Sequence, residues 1–138
     1  MNNTILNTPL FTWHSEVRSY EIDLQGIVNN AVYFQYLDQT RVLYFLSKGI
    51  DWQLWHKNGF NLVVHHVDLH FKHSLRQHDK FYVTTYVVIQ GRLKIVFHQS
   101  IFKEDKTLIA QAKVTCVCVA TSTGKPTVPA DLMKSLLA

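Results

Sequence analysis

The chain has 138 residues, of which 47% are hydrophobic and 17% are charged, and its formal net charge at pH 7 is +4. This length fits one domain with a buried core, and the composition is typical of globular rather than disordered proteins. No apolar run approaches the roughly 20 residues of a membrane-spanning helix, and residues 1–13 lack the basic start and apolar stretch of a signal peptide. We therefore predict one cytoplasmic domain over 1–138, with residues 1–10 as a loose N-terminal tail and no membrane partner.

The positive charge is scattered along the chain. The 14 Lys and Arg residues form no run of five or six, and no predicted helix carries a basic stripe. A nucleic-acid partner is therefore not expected. A mildly basic surface suits a small anionic ligand equally well.

Taken in chain order, the first predicted element is a strand over 11–18, where apolar and polar residues alternate imperfectly. Strand-like alternation over 20–23 follows and ends at Gly26, where a turn needs positive φ or close backbone approach. Asn29 or Asn30 can then cap a long helix that runs to Lys48 and Gly49. Its apolar and aromatic residues recur at steps of three and four, at Val32, Tyr33, Tyr36, Leu37, Leu43 and Tyr44.

The second half of the chain changes to a period of two. Asp51 is a candidate cap for a short helix containing Trp52 and Trp55, and strands are predicted over 63–71, 81–89, 94–103 and 108–121 before a C-terminal helix over 130–137. We expect hairpin connections, which make neighbouring strands antiparallel. The predicted fold class is therefore α+β, with a five-stranded antiparallel sheet wrapped around one long helix.

The last strand predicts a homo-oligomer. Its residues 108–119 are interpreted as apolar on both faces, and such a strand is usually buried on both. Because one helix cannot cover both faces of the sheet, we expect a homodimer or homotetramer. Cys116 and Cys118 lie two apart on this strand, a poor geometry for a disulfide, and we interpret both as small buried apolar residues.

Asp23 lies a few residues before the predicted start of the long helix. A helix N-terminus offers free N–H groups and a partial positive charge, which can stabilise an oxyanion. A carboxylate beside it can act as general base or nucleophile. The alternative is that Asp23 only accepts backbone hydrogen bonds in a turn, and the local pattern leaves both interpretations open.

The stretch from Asp23 to Arg41, DLQGIVNNAVYFQYLDQTR, resembles the signature of the 4-hydroxybenzoyl-CoA thioesterase-like hot-dog proteins. That signature has Asp, two variable residues, Gly, His or Ile, then Val-Asn-Asn, followed by Tyr, an acidic residue and Arg, the last two matched by Asp38 and Arg41. The resemblance implies a hot-dog fold and an acyl-CoA thioesterase that needs no cofactor. It implies catalytic roles for Asp23 and for the backbone amide near Asn30, and an active site at a dimer interface.

Four further residues are candidates for binding the substrate. Tyr33, one turn into the helix, either lines the acyl pocket or is an ordinary core tyrosine. Arg92, Lys94 and Lys125 are candidates for the CoA phosphates, and the alternative for each is a solvated charge near a turn. In similar proteins the region of Trp52 and Trp55 helps to cover the acyl pocket, and here it can equally plug the sheet edge.

Other chemistries find less support in the sequence. His66, Asp68 and His70 share one strand face, but same-face residues are about 7 Å apart, which is wide for one ion, so no metal site is predicted. No G-x-S-x-G elbow or glycine-rich phosphate loop is present, and the Asp23 loop lacks the histidine of hot-dog dehydratases. Two alternatives remain: a non-catalytic acyl-CoA-binding or regulatory module of the same fold, and an acyl-carrier-protein thioesterase, whose acidic carrier would suit a basic surface.

Overall fold

The computed structural model describes residues 3–4 and 10–137. The elements in chain order are β1 (Asn3–Thr4), β2 (Phe11–Glu16), a 3-10 turn (Ser19–Glu21), α1 (Asn30–Ser47), α2 (Trp52–Lys57), β3 (Phe60–Phe71), β4 (Lys80–Gln90), β5 (Lys94–Lys103), β6 (Leu108–Ala120) and α3 (Ala130–Leu137). No helix within these described ranges is long and apolar enough to cross a membrane.

The strands form one antiparallel sheet in the order β1-β4-β5-β6-β3, and β2 also pairs with β4. The five long strands confirm the predicted sheet. The expectation of a hairpin between β3 and β4 is wrong, because β3 pairs with β6 instead. The connection over 72–79 therefore crosses from one part of the sheet to another, and it passes the start of α1, where Leu75 O accepts a hydrogen bond from Val28 N–H at 2.9 Å.

The predicted loose tail over 1–10 contains a short paired segment. Asn3 and Thr4 lie opposite Gln90 and Ile89 of β4. Apart from these two residues and Leu10, the tail lies outside the described residues, so the rest of that prediction stays untested.

The long helix α1 lies against the sheet through its aromatic side chains. The rings of Tyr36 and Phe81 have centroids 4.4 Å apart, and the rings of Tyr44 and Phe97 are perpendicular with centroids 6.0 Å apart. Aromatic pairs of this kind add to the stabilisation from apolar burial. Asn29, one of the two predicted caps, accepts a hydrogen bond from Ala31 N–H at 2.9 Å and starts the helix.

The outer face of the sheet, which α1 does not contact, is more polar than expected. On β6 the inward residues are buried: Ala110, Ala112, Val114, Cys116 and Cys118. The prediction that both cysteines are buried core residues is therefore confirmed. Between them, Gln111 and Lys113 are exposed on the outer face. The interpretation of β6 as apolar on both faces is therefore wrong at these positions, and support for an oligomer has to come from another surface.

Candidate active site

A tight loop between the 3-10 turn and α1 holds Asp23. Asp23 N–H donates to Ile27 O at 2.9 Å, and Gly26 N–H donates to Asp23 O at 3.1 Å. Gly26 has φ +80°, a left-handed conformation that side-chain-bearing residues rarely adopt. The glycine in the motif is therefore explained by the turn that fixes the backbone of Asp23.

The two oxygens of the Asp23 carboxylate have different surroundings. Oδ1 accepts from Gln25 N–H at 2.8 Å and from Ile27 N–H at 3.5 Å. Oδ2 has no hydrogen-bond partner among the described residues, and the side chain is half-buried. One oxygen thus supports the turn, as the alternative interpretation expected, while the other is available to a water or a substrate.

The first turn of α1 presents a free amide. Asn29 takes up Ala31 N–H through its side chain and Val32 N–H through its carbonyl oxygen. Asn30 N–H has no hydrogen-bond partner within 3–4 and 10–137, and the residue is exposed. This amide lies at the positive end of the helix dipole, so it can donate to a developing oxyanion.

Tyr33 has the contacts of a core residue beside this loop. Its hydroxyl accepts a hydrogen bond from Leu75 N–H at 3.1 Å, and its ring lies 5.4 Å from that of Phe71. Burial raises the pKa of the Tyr33 hydroxyl, the Leu75 hydrogen bond opposes this rise, and the charge of Asp23 adds to it. Tyr33 therefore connects the helix start to the crossing segment 72–79 and lies within the electrostatic range of Asp23.

Sequence reasoning missed a buried carboxylate two residues before Asp23. Glu21 is 5% exposed, and its Oε1 accepts from Tyr36 Oη at 2.9 Å and from Arg18 N–H at 2.8 Å. Burial, followed by the hydrogen bond and charge of Glu21, raises the pKa of Tyr36 well above its ordinary value. In place of the expected strand over 20–23, the chain forms a 3-10 turn over Ser19–Glu21 followed by a single bridge from Ile22 to Val28, and Glu21 is buried while Tyr20 is exposed.

The basic candidates lie far from Asp23 within one copy. Arg92, Lys94 and Lys125 are all exposed, at the end of the sheet where Lys94 pairs with Val117 and Val119 bridges Pro126. The Asp23 loop is at the opposite end, where Ile27 bridges Arg76 near the start of β4. The ten residue steps of β4 separate these ends by roughly 30 Å.

The histidine-rich face of β3 does not form a metal-type cluster. Within 3–4 and 10–137, no three His, Cys, Asp or Glu side chains come together in an arrangement that could hold a metal ion. His70 Nε2 lies 2.8 Å from Asp68 Oδ1 as an exposed pair.

Arg41 of the motif forms hydrogen bonds with Asp38, the acidic residue of the motif, and with the buried side chain of Gln99. Arg41 Nη1 donates to Gln99 Oε1 at 3.0 Å, and Arg41 Nη2 donates to Asp38 Oδ1 at 3.4 Å. Gln99 Nε2 donates in turn to Leu37 O at 3.0 Å and to Thr85 Oγ1 at 3.1 Å. This network ties the middle of α1 to β4 and β5, and the sequence motif contained only its helix half.

Comparisons with known proteins show which family the chain belongs to. Residues 17–136 match the sequence model of the Thioesterase-like superfamily. The chain is 35% identical over 103 residues to the acyl-acyl carrier protein thioesterase ATL2, chloroplastic, of Arabidopsis thaliana, covering 74% of this chain and 55% of that protein. It is 26% identical over 121 residues to the acyl-CoA thioester hydrolase YbgC of Escherichia coli, covering 88% of this chain and 90% of that protein.

Solved structures share the fold. A crystal structure of a 1,4-dihydroxy-2-naphthoyl-CoA thioesterase from Synechocystis superposes with a TM-score of 0.87 at 18% identity, covering 94% of this chain and 96% of that one. The predicted hot-dog fold is thereby confirmed. The chain therefore belongs to the Thioesterase-like superfamily, and this membership supports its assignment as a thioester hydrolase.

Proposed function

We propose that the protein hydrolyses acyl-CoA thioesters to a free acid and CoA, with Asp23 and the Asn30 amide as its catalytic groups. The observation that carries this proposal is the pairing of two unused groups in one loop and helix start. Asp23 Oδ2 is an acceptor and Asn30 N–H is a donor, and neither has a hydrogen-bond partner among the described residues.

Each group has one task in the reaction. The thioester carbonyl oxygen accepts a hydrogen bond from Asn30 N–H, which strengthens as negative charge develops on that oxygen. Loss of one such donor typically costs about 2.7–4 kcal/mol of barrier. The Asp23 carboxylate either removes a proton from an attacking water or attacks the carbonyl carbon to form an anhydride that water then opens. Both routes expel the thiolate of CoA, which takes up a proton.

The bonds to Oδ1 support this role because they fix the carboxylate before the substrate arrives. Two backbone N–H groups hold Oδ1, so the direction of Oδ2 is set by the turn and not by a freely rotating side chain. A catalytic group that is already oriented loses less entropy in the transition state.

The homo-oligomer belongs to the same proposal, and β3 is its proposed interface. β3 has 12 residues and pairs on one side with β6, while no described strand pairs with its other side. Val63 and Val64 on this strand are each 46% exposed. Long edge strands with exposed apolar residues readily pair with another chain.

Antiparallel pairing of two β3 strands would also bring the basic residues to the active site. The start of β3 lies at the same end of the sheet as Arg92, Lys94 and Lys125, and its last residue, Phe71, contacts Tyr33. The Arg92, Lys94 and Lys125 side chains of a second copy would therefore lie at the end of the sheet where Asp23 of the first copy lies. We propose that these cations bind the CoA phosphates from the neighbouring copy.

A thiol-release assay on a panel of acyl-CoA thioesters, extended to acyl-carrier-protein thioesters, tests the function. The expected result is saturable release from CoA thioesters. Release from acyl carrier protein alone would favour the second candidate, a carrier-protein thioesterase, which the similarity to ATL2 supports. Saturable acyl-CoA binding without any release would contradict hydrolysis and indicate a binding module.

A further inference from the structure

A cleft with a cavity volume of about 360 Å³ lies on the flank of α1, between α1, α2, β3 and β6. This volume is at the lower end of the range for small-molecule sites. Most of its walls are apolar, formed by Val42, Phe45, Leu62, Val63 and Val64. Val63 and Val64 are also on the edge strand of the proposed interface, so a second copy would border this cleft. Arg41 and Trp52 also line it, and the Asp23 loop does not.

Asp38 and Asn61 also line the cleft, and two side chains there, Arg41 and Trp52, retain unused hydrogen-bond donors. Arg41 is 8% exposed, and only two of its five N–H groups have partners among the described residues, Gln99 and Asp38. The Nε1 atom of Trp52 is buried and has no acceptor among those residues. Because buried donors are normally satisfied, a ligand here should bring acceptor oxygens.

The cleft and the proposed catalytic amide lie along one side of α1. From Asn30, steps of four and three residues lead through Phe34 and Asp38 to Arg41, and such residues share a helix face. The helical rise places the Cα of Arg41 roughly 16 Å beyond that of Asn30. Side chains on a helix point back toward its N-terminus, which brings the guanidinium closer to the amide.

We propose that this cleft holds the far end of the acyl group and that Arg41 binds an acceptor oxygen there. The substrate class is a medium-chain acyl thioester with a hydroxyl or carboxylate at its far end. An acyl group whose carbonyl lies at Asn30 N–H would run past Phe34, which is 46% exposed, into the apolar cleft. This inference rests on the proposed function for its catalytic half and on the cleft alone for its binding half.

Chain-matched substrates test the inference. We would compare kcat/KM for octanoyl-CoA, 8-hydroxyoctanoyl-CoA and suberoyl-CoA, which have the same number of acyl carbons. The expected preference for an oxygenated substrate over octanoyl-CoA is roughly tenfold or more, since a charge-assisted hydrogen bond forms in a desolvated site. Comparison of 8-hydroxyoctanoyl-CoA with suberoyl-CoA shows whether Arg41, with Asp38 beside it, prefers a hydroxyl or a carboxylate. Equal kcat/KM for all three substrates would overturn the inference.

Variants separate recognition from general packing. Arg41→Met removes every donor and should abolish the preference, whereas Arg41→Lys keeps a cation and should retain part of it. Trp52→Phe should reduce the preference, and the matched substitution Trp13→Phe, on β2 against Phe81, should leave the substrate ratio unchanged. A preference that persists in folded Arg41→Met would overturn the role of Arg41. If that variant fails to fold, the ratio in Arg41→Lys and Trp52→Phe decides.

Binding of the free acids separates this inference from the proposed function. Isothermal titration of octanoate, 8-hydroxyoctanoate and suberate into the full chain and into Asp23→Asn needs no turnover. Tighter binding of the oxygenated acids by both proteins would support the cleft assignment even if no thioester were hydrolysed. Equal affinity for all three acids would contradict it even if hydrolysis were observed.

Discussion

At the scale of single residues, the buried carboxylate of Glu21 supports the loop that holds Asp23. Glu21 accepts a hydrogen bond from Tyr36 Oη, and its own carbonyl oxygen accepts one from Asn29 N–H at 3.0 Å. One residue therefore ties the helix core, the loop and the helix cap together. The position of the two proposed catalytic groups depends on this buried contact as well as on the turn at Gly26.

Tyr36→Phe should lower the free energy of unfolding by about 1–3 kcal/mol, because it removes a donor from a buried carboxylate. Urea denaturation measures the effect. Tyr20→Phe is the matched control: this tyrosine is 76% exposed, and its loss of a hydroxyl should change stability by about 0.5 kcal/mol or less. Equal effects of the two substitutions would show that the Glu21 contact contributes nothing to stability.

Ionisation of the buried Cys116 thiol should lower the stability of the protein at alkaline pH. Burial raises the pKa of this thiol from 9.0 to about 11. The unfolded chain therefore releases the proton first, so the stabilising contribution is complete below pH 9 and is lost as the pH rises from 9 toward 11. The expected loss is about 1–3 kcal/mol. Denaturation at about pH 8 and about pH 11 should show a smaller decrease for Cys116→Ser than for the natural chain, and equal decreases would contradict the assignment.

The sequence contained much of the candidate site but not its surroundings. The motif predicted that Asp23 and the amide near Asn30 belong to the site, because a glycine turn and a capping asparagine can be recognised from neighbouring residues in the sequence. Glu21 was missed because alternation over 20–23 indicates a strand, whereas the chain forms a 3-10 turn there. The partners of Arg41 were missed because Gln99 is 58 residues away in sequence.

At the scale of elements, the cap of α1 has a structural role and, in the proposed mechanism, a catalytic one. Asn29 takes up Ala31 N–H, and Asn30 N–H has no hydrogen-bond partner among the described residues. Asn29→Ala should lower the free energy of unfolding by about 1 kcal/mol, as is typical for loss of a cap. Chemical denaturation together with kcat for an acyl-CoA substrate tests both roles.

Asn29→Asp separates these roles. An aspartate keeps the cap and is favourable at a helix N-terminus, so stability should be retained. Its negative charge opposes an oxyanion at the neighbouring amide, so kcat should fall by about tenfold or more. Unchanged kcat in Asn29→Asp would contradict the oxyanion role of this helix start.

The strands were predicted more accurately than their partners. The two-residue period of apolar residues predicted β3, β4, β5 and β6, and burial alternates along the whole of β4. It contained no information on which strands are neighbours, and the expected hairpin between β3 and β4 is replaced by the pairing of β3 with β6. The outer face of β6 was misjudged because Gln111, Lys113 and Thr115 lie between its apolar residues Ile109 and Val117.

At the scale of the whole molecule, the proposed oligomer completes the substrate site. One copy separates Asp23 from the basic cluster of Arg92, Lys94 and Lys125, and pairing along β3 would bring these groups together between copies. Analytical ultracentrifugation at micromolar concentration should therefore show a species of at least two 16.0 kDa chains. A monomer alone would contradict the interface.

Val64→Lys should shift this species toward monomer, because it places a charge on the apolar edge strand. Leu10→Lys is the matched control, since Leu10 is 58% exposed and Val64 is 46% exposed. Leu10 precedes β2, which pairs with β4 and not with β3, so its substitution should leave the sedimentation of the protein unchanged. Equal sedimentation of Val64→Lys, Leu10→Lys and the natural chain would exclude pairing at this point of β3.

The central claim is that the Asp23 carboxylate takes part in thioester hydrolysis as well as in its turn. The most direct measurement is kcat for Asp23→Asn beside Asp105→Asn, since Asp105 Oδ1 accepts Thr107 N–H at 3.0 Å in a comparable turn. Asp23→Asn should lose about a hundredfold or more in kcat with its fold retained, while Asp105→Asn keeps the natural rate. Near-natural turnover by folded Asp23→Asn would contradict the account.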